Sequence, residues 1–216
     1  MGQNSRIGAG DPEGSLTQAG KEAGHCEAPE ALPVSADELR LRAQRLSLRE
    51  QLERNHFLLE RLNAASARLI QSLEAGDAFE AVGEIIANLI GSEELAIFQF
   101  CPTTGGFSLN WSSGVDSEIL QRMSSGAGML GRAAHQAASQ FRERQPKDLL
   151  LPYEKNLTAC VALKSGQEPV GVMAIFGLLP QKQALEWADF ELLKFLEVYG
   201  AAAIEVQRLE KKLVAL

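Results

Sequence analysis

The 216-residue chain carries 21 Lys and Arg against 28 Asp and Glu, a formal charge of −7, with 45% hydrophobic residues and three cysteines. That balance repels phosphate backbones, and no Lys/Arg cluster interleaved with aromatics offsets it, which argues against nucleic acid and anionic membrane as direct partners. No apolar run approaches the roughly 20 residues needed to cross a bilayer, and the first residues lack the basic start and apolar core of a secretory signal; the expectation is a cytoplasmic protein of one globular domain with helical extensions.

Residues 1–34 are rich in Gly, Ser, Ala, Gln and Glu and contain no aromatic side chain. Such a segment cannot bury enough apolar surface to offset its ordering entropy, so a disordered acidic tail is expected. Order begins at Ser35, which can N-cap a helix, with Glu38 closing a capping box and Val34 stapling onto Leu39. From there Leu41, Leu48, Leu52, Leu59, Leu62, Leu69 and Leu73 keep heptad spacing, with Asn55 and Ser66 at two places on the seam. The spacing predicts a dimerisation or linker helix over 35–75. Asn55 would pair with its symmetry mate, or be hydrated if this is an ordinary surface helix.

Gly76 stops that helix, and Asp77 with Glu80 forms a second capping box. Phe79, Val82, Ile85, Ile86, Leu89 and Ile90 give the next helix a wide apolar face, closed by Gly91. The period then changes. Leu95 to Cys101 reads as a buried strand, Pro102 to Gly106 as a turn, and Phe107, Leu109 and Trp111 as the apolar positions of a half-buried strand, together a hairpin. Asp116 or Ser117 caps a short helix through Met123, Ser124 to Gly128 interrupts, and Met129 to Ala138 resumes helical spacing. Gln140 to Glu154 is a polar loop with one edge strand. Leu157 to Lys164 and Val170 to Leu178, joined by Ser165 to Pro169, read as a central hairpin.

The last helix, residues 186–216, is expected to be capped near Pro180 to Gln183. Leu192, Phe195, Tyr199, Ala202, Val206, Leu209, Leu213 and Leu216 alternate at three and four, the seam of a second heptad helix. Phe190, Leu193, Leu196, Ala203 and Ile204 lie to one side and can pack on a core. One helix would serve two interfaces, and the two heptad helices with their symmetry mates would form a four-helix bundle.

The order helix, hairpin, two short helices, hairpin, long helix resembles a GAF domain over roughly Leu62 to Arg208. Gly128, Gly131 and Arg132 in "GMLGRAAHQAASQF" look like the family's Gly-x-x-Gly-arginine helix start. "NLTACVALKSGQEPVGVMAIFG" resembles its paired strands, and "ALEWADFELLKFLEVYGAAAIEVQRLEKKL" its closing stretch, with Asp189 at an acidic helix start and Ala201 to Ile204 matching a small-residue run. The resemblance implies an α+β fold: a GAF-like central antiparallel sheet of five to six strands with helices on both faces, residues 76–205, plus the long N- and C-terminal coiled-coil-like helices. It also implies a pocket under the short helices and loops, residues 123–151. The Asn-Lys-x-Phe-Asp-Glu signature of cyclic-nucleotide-binding members is not present. The Cys-His word of bilin-binding members is not matched either, since His25 and Cys26 are reversed and lie in the tail.

Candidate pocket residues are Phe98, Trp111, Met129, His135, Phe141 and Cys160. His135 could sense protons or a metal there, or simply face solvent; Trp111 and Phe107 could equally be sheet packing. The run Arg142, Glu143, Arg144 with Lys147 and Asp148 reads as a solvated loop that could contact a partner. His25, His56 and His135 share no metal-ligand spacing, and no phosphate loop, GxSxG or HExxH word is present, so no catalytic residue, metal or cofactor is expected. Cys101 and Cys160 could act in redox sensing if their strands are neighbours, or behave as small buried hydrophobes. The function expected is a non-enzymatic regulatory or adaptor homodimer that passes a signal to another signalling or scaffold protein. The alternatives are a small-ligand sensor and, further off, an enzyme like the free-methionine-sulfoxide reductases that share this fold, whose chemistry needs clustered nucleophilic and resolving cysteines.

Overall fold

The computed structural model describes residues 35–101, 104–121, 126–144 and 150–214. The expected tail with His25 and Cys26, the Val34 staple, Met123, Lys147, Asp148 and Leu216 lie outside these residues. Two compact units meet between Arg45 and Leu46. In the first, the described residues open helix α1 (Ala36–Ala75). Half of the expected capping box forms there: the Glu38 N–H donates to Ser35 Oγ at 3.2 Å, while the Glu38 carboxylate turns to Arg42 at 2.8 Å.

The second unit is built on a five-stranded antiparallel sheet. Its strands are β1 (Leu95–Cys101), β2 (Gly106–Ser113), β3 (Gln140–Phe141), β4 (Ala159–Ser165) and β5 (Glu168–Ile175), in the order β2-β1-β5-β4-β3. Both expected hairpins and the edge strand are present. β1, β4 and β5 read as near-continuous apolar runs because both faces of the sheet are covered. On one face Leu95, Ile97, Val161, Met173 and Ile175 meet the inner sides of α1, α2 (Ala78–Ile85), α5 (Trp187–Phe195) and α6 (Ala201–Val214). On the other, Ala96, Phe98, Cys160, Val172 and Ala174 meet α4 (Gly128–Gln136) and Leu120 of α3 (Ser117–Leu120). Asp116 caps α3 as expected, accepting from the N–H groups of Glu118 and Ile119.

Polar side chains fix how the helices join. Asp189, fully buried, accepts from the Glu186 N–H at 2.7 Å and so starts α5, while its two oxygens also pair with Arg61 and Lys182, each at 2.7 Å. Glu186 and Asp189 form the cap of this helix, later in the chain than Pro180 to Gln183. At the other end Gln207 of α6 is inserted between two helices: its amide donates to the Gly76 carbonyl at the end of α1, and its oxygen accepts from the Ala78 N–H of α2 at 3.1 Å. Arg61 thus meets Asp189, and Gly76 and Ala78 meet Gln207, so α1 runs parallel to the C-terminal helix. Asp77 accepts no capping bond; Arg68 takes its carboxylate at 2.9 Å instead.

Two helices widen into single π turns, α2 through Ile86–Ile90 and the C-terminal helix through Leu196–Gly200 between α5 and α6. The second corrects the expected seam. Leu192 and Tyr199 are seven residues apart and would share a face of a straight α-helix, yet Leu192 is fully buried in the core while Tyr199 is 58% exposed. The wider turn shifts the helix phase between them, so the exposed seam starts after Leu192.

Candidate functional site

The six residues expected to line one pocket do not come together. Phe98, Met129 and Cys160 are fully buried and pack with Leu130, Leu157 and Phe176 in the cluster beneath α4. Trp111 lies across the sheet, where its indole sits against Gly83 of α2; a Cβ at Gly83 would collide with the ring. The reason is a bulge: Phe98 faces Leu109 but Ile97 faces Trp111, leaving Asn110 as the extra residue. The expected alternation of Phe107, Leu109 and Trp111 on one face therefore breaks. Phe141 pairs with Ala159, which also puts it on the α5 side, in edge-to-face contact with Phe190 at 5.0 Å. His135 is on the exposed side of α4.

The end of α4 is closed by the chain itself. Glu154 is fully buried, and its carboxylate accepts from the N–H groups of Met129 at 3.0 Å, Leu130 at 2.8 Å and Leu151 at 2.9 Å. Those of Met129 and Leu130 are unpaired amides of the α4 start, where negative charge is stabilised, and that of Leu151 precedes the short turn that carries Glu154 itself. Gly128 accommodates the carboxylate in two ways: it has φ +67, and a Cβ there would collide with the Glu154 oxygens. The Gly-x-x-Gly word thus serves an internal carboxylate. Nothing in the sequence around Glu154 signalled this role, because all three partners are backbone groups.

The cysteines do not form a redox pair. β1 and β4 are separated by β5, and Cys160 is level with Ala96, five residues from Cys101 along the strand. Strand geometry puts the two thiols on the order of 15–20 Å apart. Burial, with the nearby Glu154 charge, pushes the Cys160 thiol well above its ordinary pKa, and Arg132 opposes this only in part. A thiol held neutral is a poor nucleophile. Among the described residues no group of three or more His, Cys, Asp or Glu could hold a metal ion.

The outer sides of α1 and α6 are different in kind. Leu62, Ser66, Leu69, Ile70 and Leu73 on α1 face Phe195, Tyr199, Ala202, Ala203 and Val206 across an apolar groove of about 520 Å3. Tyr199 stacks on Phe195 at 4.7 Å along its wall. Ser66 needs no partner from outside, since its hydroxyl donates to the Leu62 carbonyl at 2.7 Å. Beyond the groove the apolar line continues in both directions: Leu48, Leu52 (68% exposed) and Leu59 (64%) upstream on α1, Leu209 and Leu213 (71%) downstream on α6. Asn55 stands exposed within the upstream part. Of the expected seam residues Leu192 is withdrawn into the core, and Leu69, at 5% exposure, is largely so. Ile70 was missed because it lies beside the strict seam, where apolar residues broaden a helix face.

No protein-family model and no curated protein matches the sequence. Solved structures match its fold. The GAF domain of a phosphoenolpyruvate-protein phosphotransferase from Coxiella burnetii superposes with a TM-score of 0.56 at 15% identity, over 72% of this chain and 96% of that one. The GAF domain of a two-component sensor histidine kinase from Bacillus halodurans gives 0.51 at 18% identity, over 62% and 96%. Free methionine-R-sulfoxide reductase from Neisseria meningitidis, in complex with its substrate, gives 0.51 at 15% identity, over 69% and 93%. With its five-stranded antiparallel sheet between a helical layer and the α3–α4 side, this chain has a GAF-like fold.

Proposed function

We propose that the protein is a non-enzymatic GAF-type regulatory or adaptor protein that acts as a homodimer through α1 and α6 and passes a signal to a partner protein. The observation that carries this reading is the apolar line from Leu48 through the groove to Leu213, broken on its upstream part by Asn55. Leu48 to Leu73 spans about 38 Å of helix and Phe195 to Leu213 about 27 Å. At a width of about 10 Å, the line covers on the order of 600–700 Å2 per copy, near the roughly 800 Å2 per partner of a standard stable interface. Monomeric soluble proteins rarely leave so much contiguous apolar surface in water. The filled cluster beneath α4, with Glu154 on the helix start, favours this reading over a ligand sensor, and the separated cysteines favour it over a reductase.

Light scattering at about 10 μM is the test. The chain is expected to have the mass of a dimer, and Leu59→Asp combined with Leu209→Asp the mass of a monomer with unchanged circular dichroism, since both side chains are exposed in the single chain. A monomeric parent chain would overturn the reading.

A further inference from the structure

We infer that the two copies associate in parallel and in register, with Asn55 pairing with its own symmetry mate. This rests on the homodimer reading above and assigns the direction of its helices. The leucines alone do not choose. In an antiparallel pair the upstream part of α1 lies along the partner's α6, and Leu48, Leu52 and Leu59 are covered by Val206, Leu209 and Leu213. In a parallel pair the upstream parts of the two α1 helices lie along each other, because α5 begins only at the level of Arg61. They then form a two-stranded stretch in which Leu48, Leu52 and Leu59 each meet their own equivalents.

Asn55 distinguishes the two. It is exposed, and it lies on the seam three residues after Leu52 and four before Leu59. An antiparallel pair presses its amide against the aliphatic side chains of α6 and strips water from a donor and an acceptor without replacing it, which lowers the association constant by on the order of tenfold or more. A parallel, in-register pair sets amide against amide, donor to acceptor, and leaves neither unpaired. Slips of one heptad are excluded for the same reason, since each moves Asn55 against Leu48 or Leu62.

Cysteine cross-linking under mild oxidation separates the outcomes, with the parent chain as control for its native cysteines. Asn55→Cys and, in a second variant, Leu52→Cys are each expected to give an inter-chain disulfide when oxidised alone, well above the parent. An equimolar mixture of Asn55→Cys with Val206→Cys chains is expected to give no mixed product beyond the parent background. Mixed product without homotypic product overturns the parallel arrangement while leaving the dimer intact. If light scattering finds the parent chain monomeric, the functional reading fails and this inference with it. Asn55→Leu adds a check that needs no cysteine: the dimer is expected to tighten while register loosens, so that Leu52→Cys begins to cross-link with Leu59→Cys in mixtures.

Discussion

Cys160 shows how much one buried atom is governed by its surroundings. Its Sγ lies in the cluster beneath α4, close to the Glu154 carboxylate that the α4 start requires, and both desolvation and that negative charge disfavour the thiolate. The folded state therefore holds the proton more tightly than the unfolded chain, where a thiol ionises near pH 8.5. The stabilisation is complete below that pH and is lost as pH rises from there toward the folded value. Urea unfolding at pH 7.5 and pH 10 should show it. The parent is expected to lose about 1.4 kcal/mol per pH unit above 8.5 more than Cys160→Ala does, while at pH 7.5 the variant is the weaker by about 1 kcal/mol from the lost side chain. Parallel curves for the two proteins would mean that the thiol ionises freely in the fold. That Cys160 is a buried small hydrophobe was legible in the apolar run around it; that Glu154 stands beside it was not, since the contact joins a strand to a turn that carries no pattern.

At the scale of elements, the C-terminal helix is held at both ends by side chains and shifted in phase between them. Its start depends on Asp189, which serves as N-terminal cap and as the counter-charge for Arg61 and Lys182. Breaking a buried pair from one side strands the other charge, at a cost of about 3–5 kcal/mol. Asp189→Asn is expected to lower the urea midpoint accordingly, with Arg61→Met recovering part of the loss in the double variant because no buried guanidinium then remains; Lys182 is partly exposed and can turn to solvent. A double variant whose loss equals the sum of the two single losses would show that the charges are not coupled. The sequence made this helix legible as one of two faces, since three-four spacing needs only periodicity. It hid the π turn, because no residue type marks one, and so it hid the burial of Leu192. The capping box at Asp77 failed for a comparable reason: Arg68, nine residues earlier, competes for the carboxylate, and a local pattern cannot register a partner one helix away.

For the molecule as a whole, the two hairpins followed from alternation and turn chemistry and the covering of both sheet faces from the family resemblance, whereas the pocket did not follow, because it required knowing which face each aromatic takes. The Asn110 bulge alone moves Trp111 across the sheet. The exposed leucine lines were legible as seams because nothing among the described residues competes for them, and they lead to a property no single copy can have. If α1 and α6 associate between copies, part of the stability belongs to the dimer and follows mass action. Thermal unfolding measured from 1 to 100 μM is expected to shift upward by about 1.5–3 °C for each tenfold in concentration, since the roughly 1.4 kcal/mol gained per dimer is shared by its two chains. Leu59→Asp places a carboxylate in the line without touching the core, so its midpoint should lie lower and stay flat across the same range. A parent midpoint independent of concentration, with Leu59→Asp unchanged from it, would mean that the apolar line is covered by something other than a second copy of this chain.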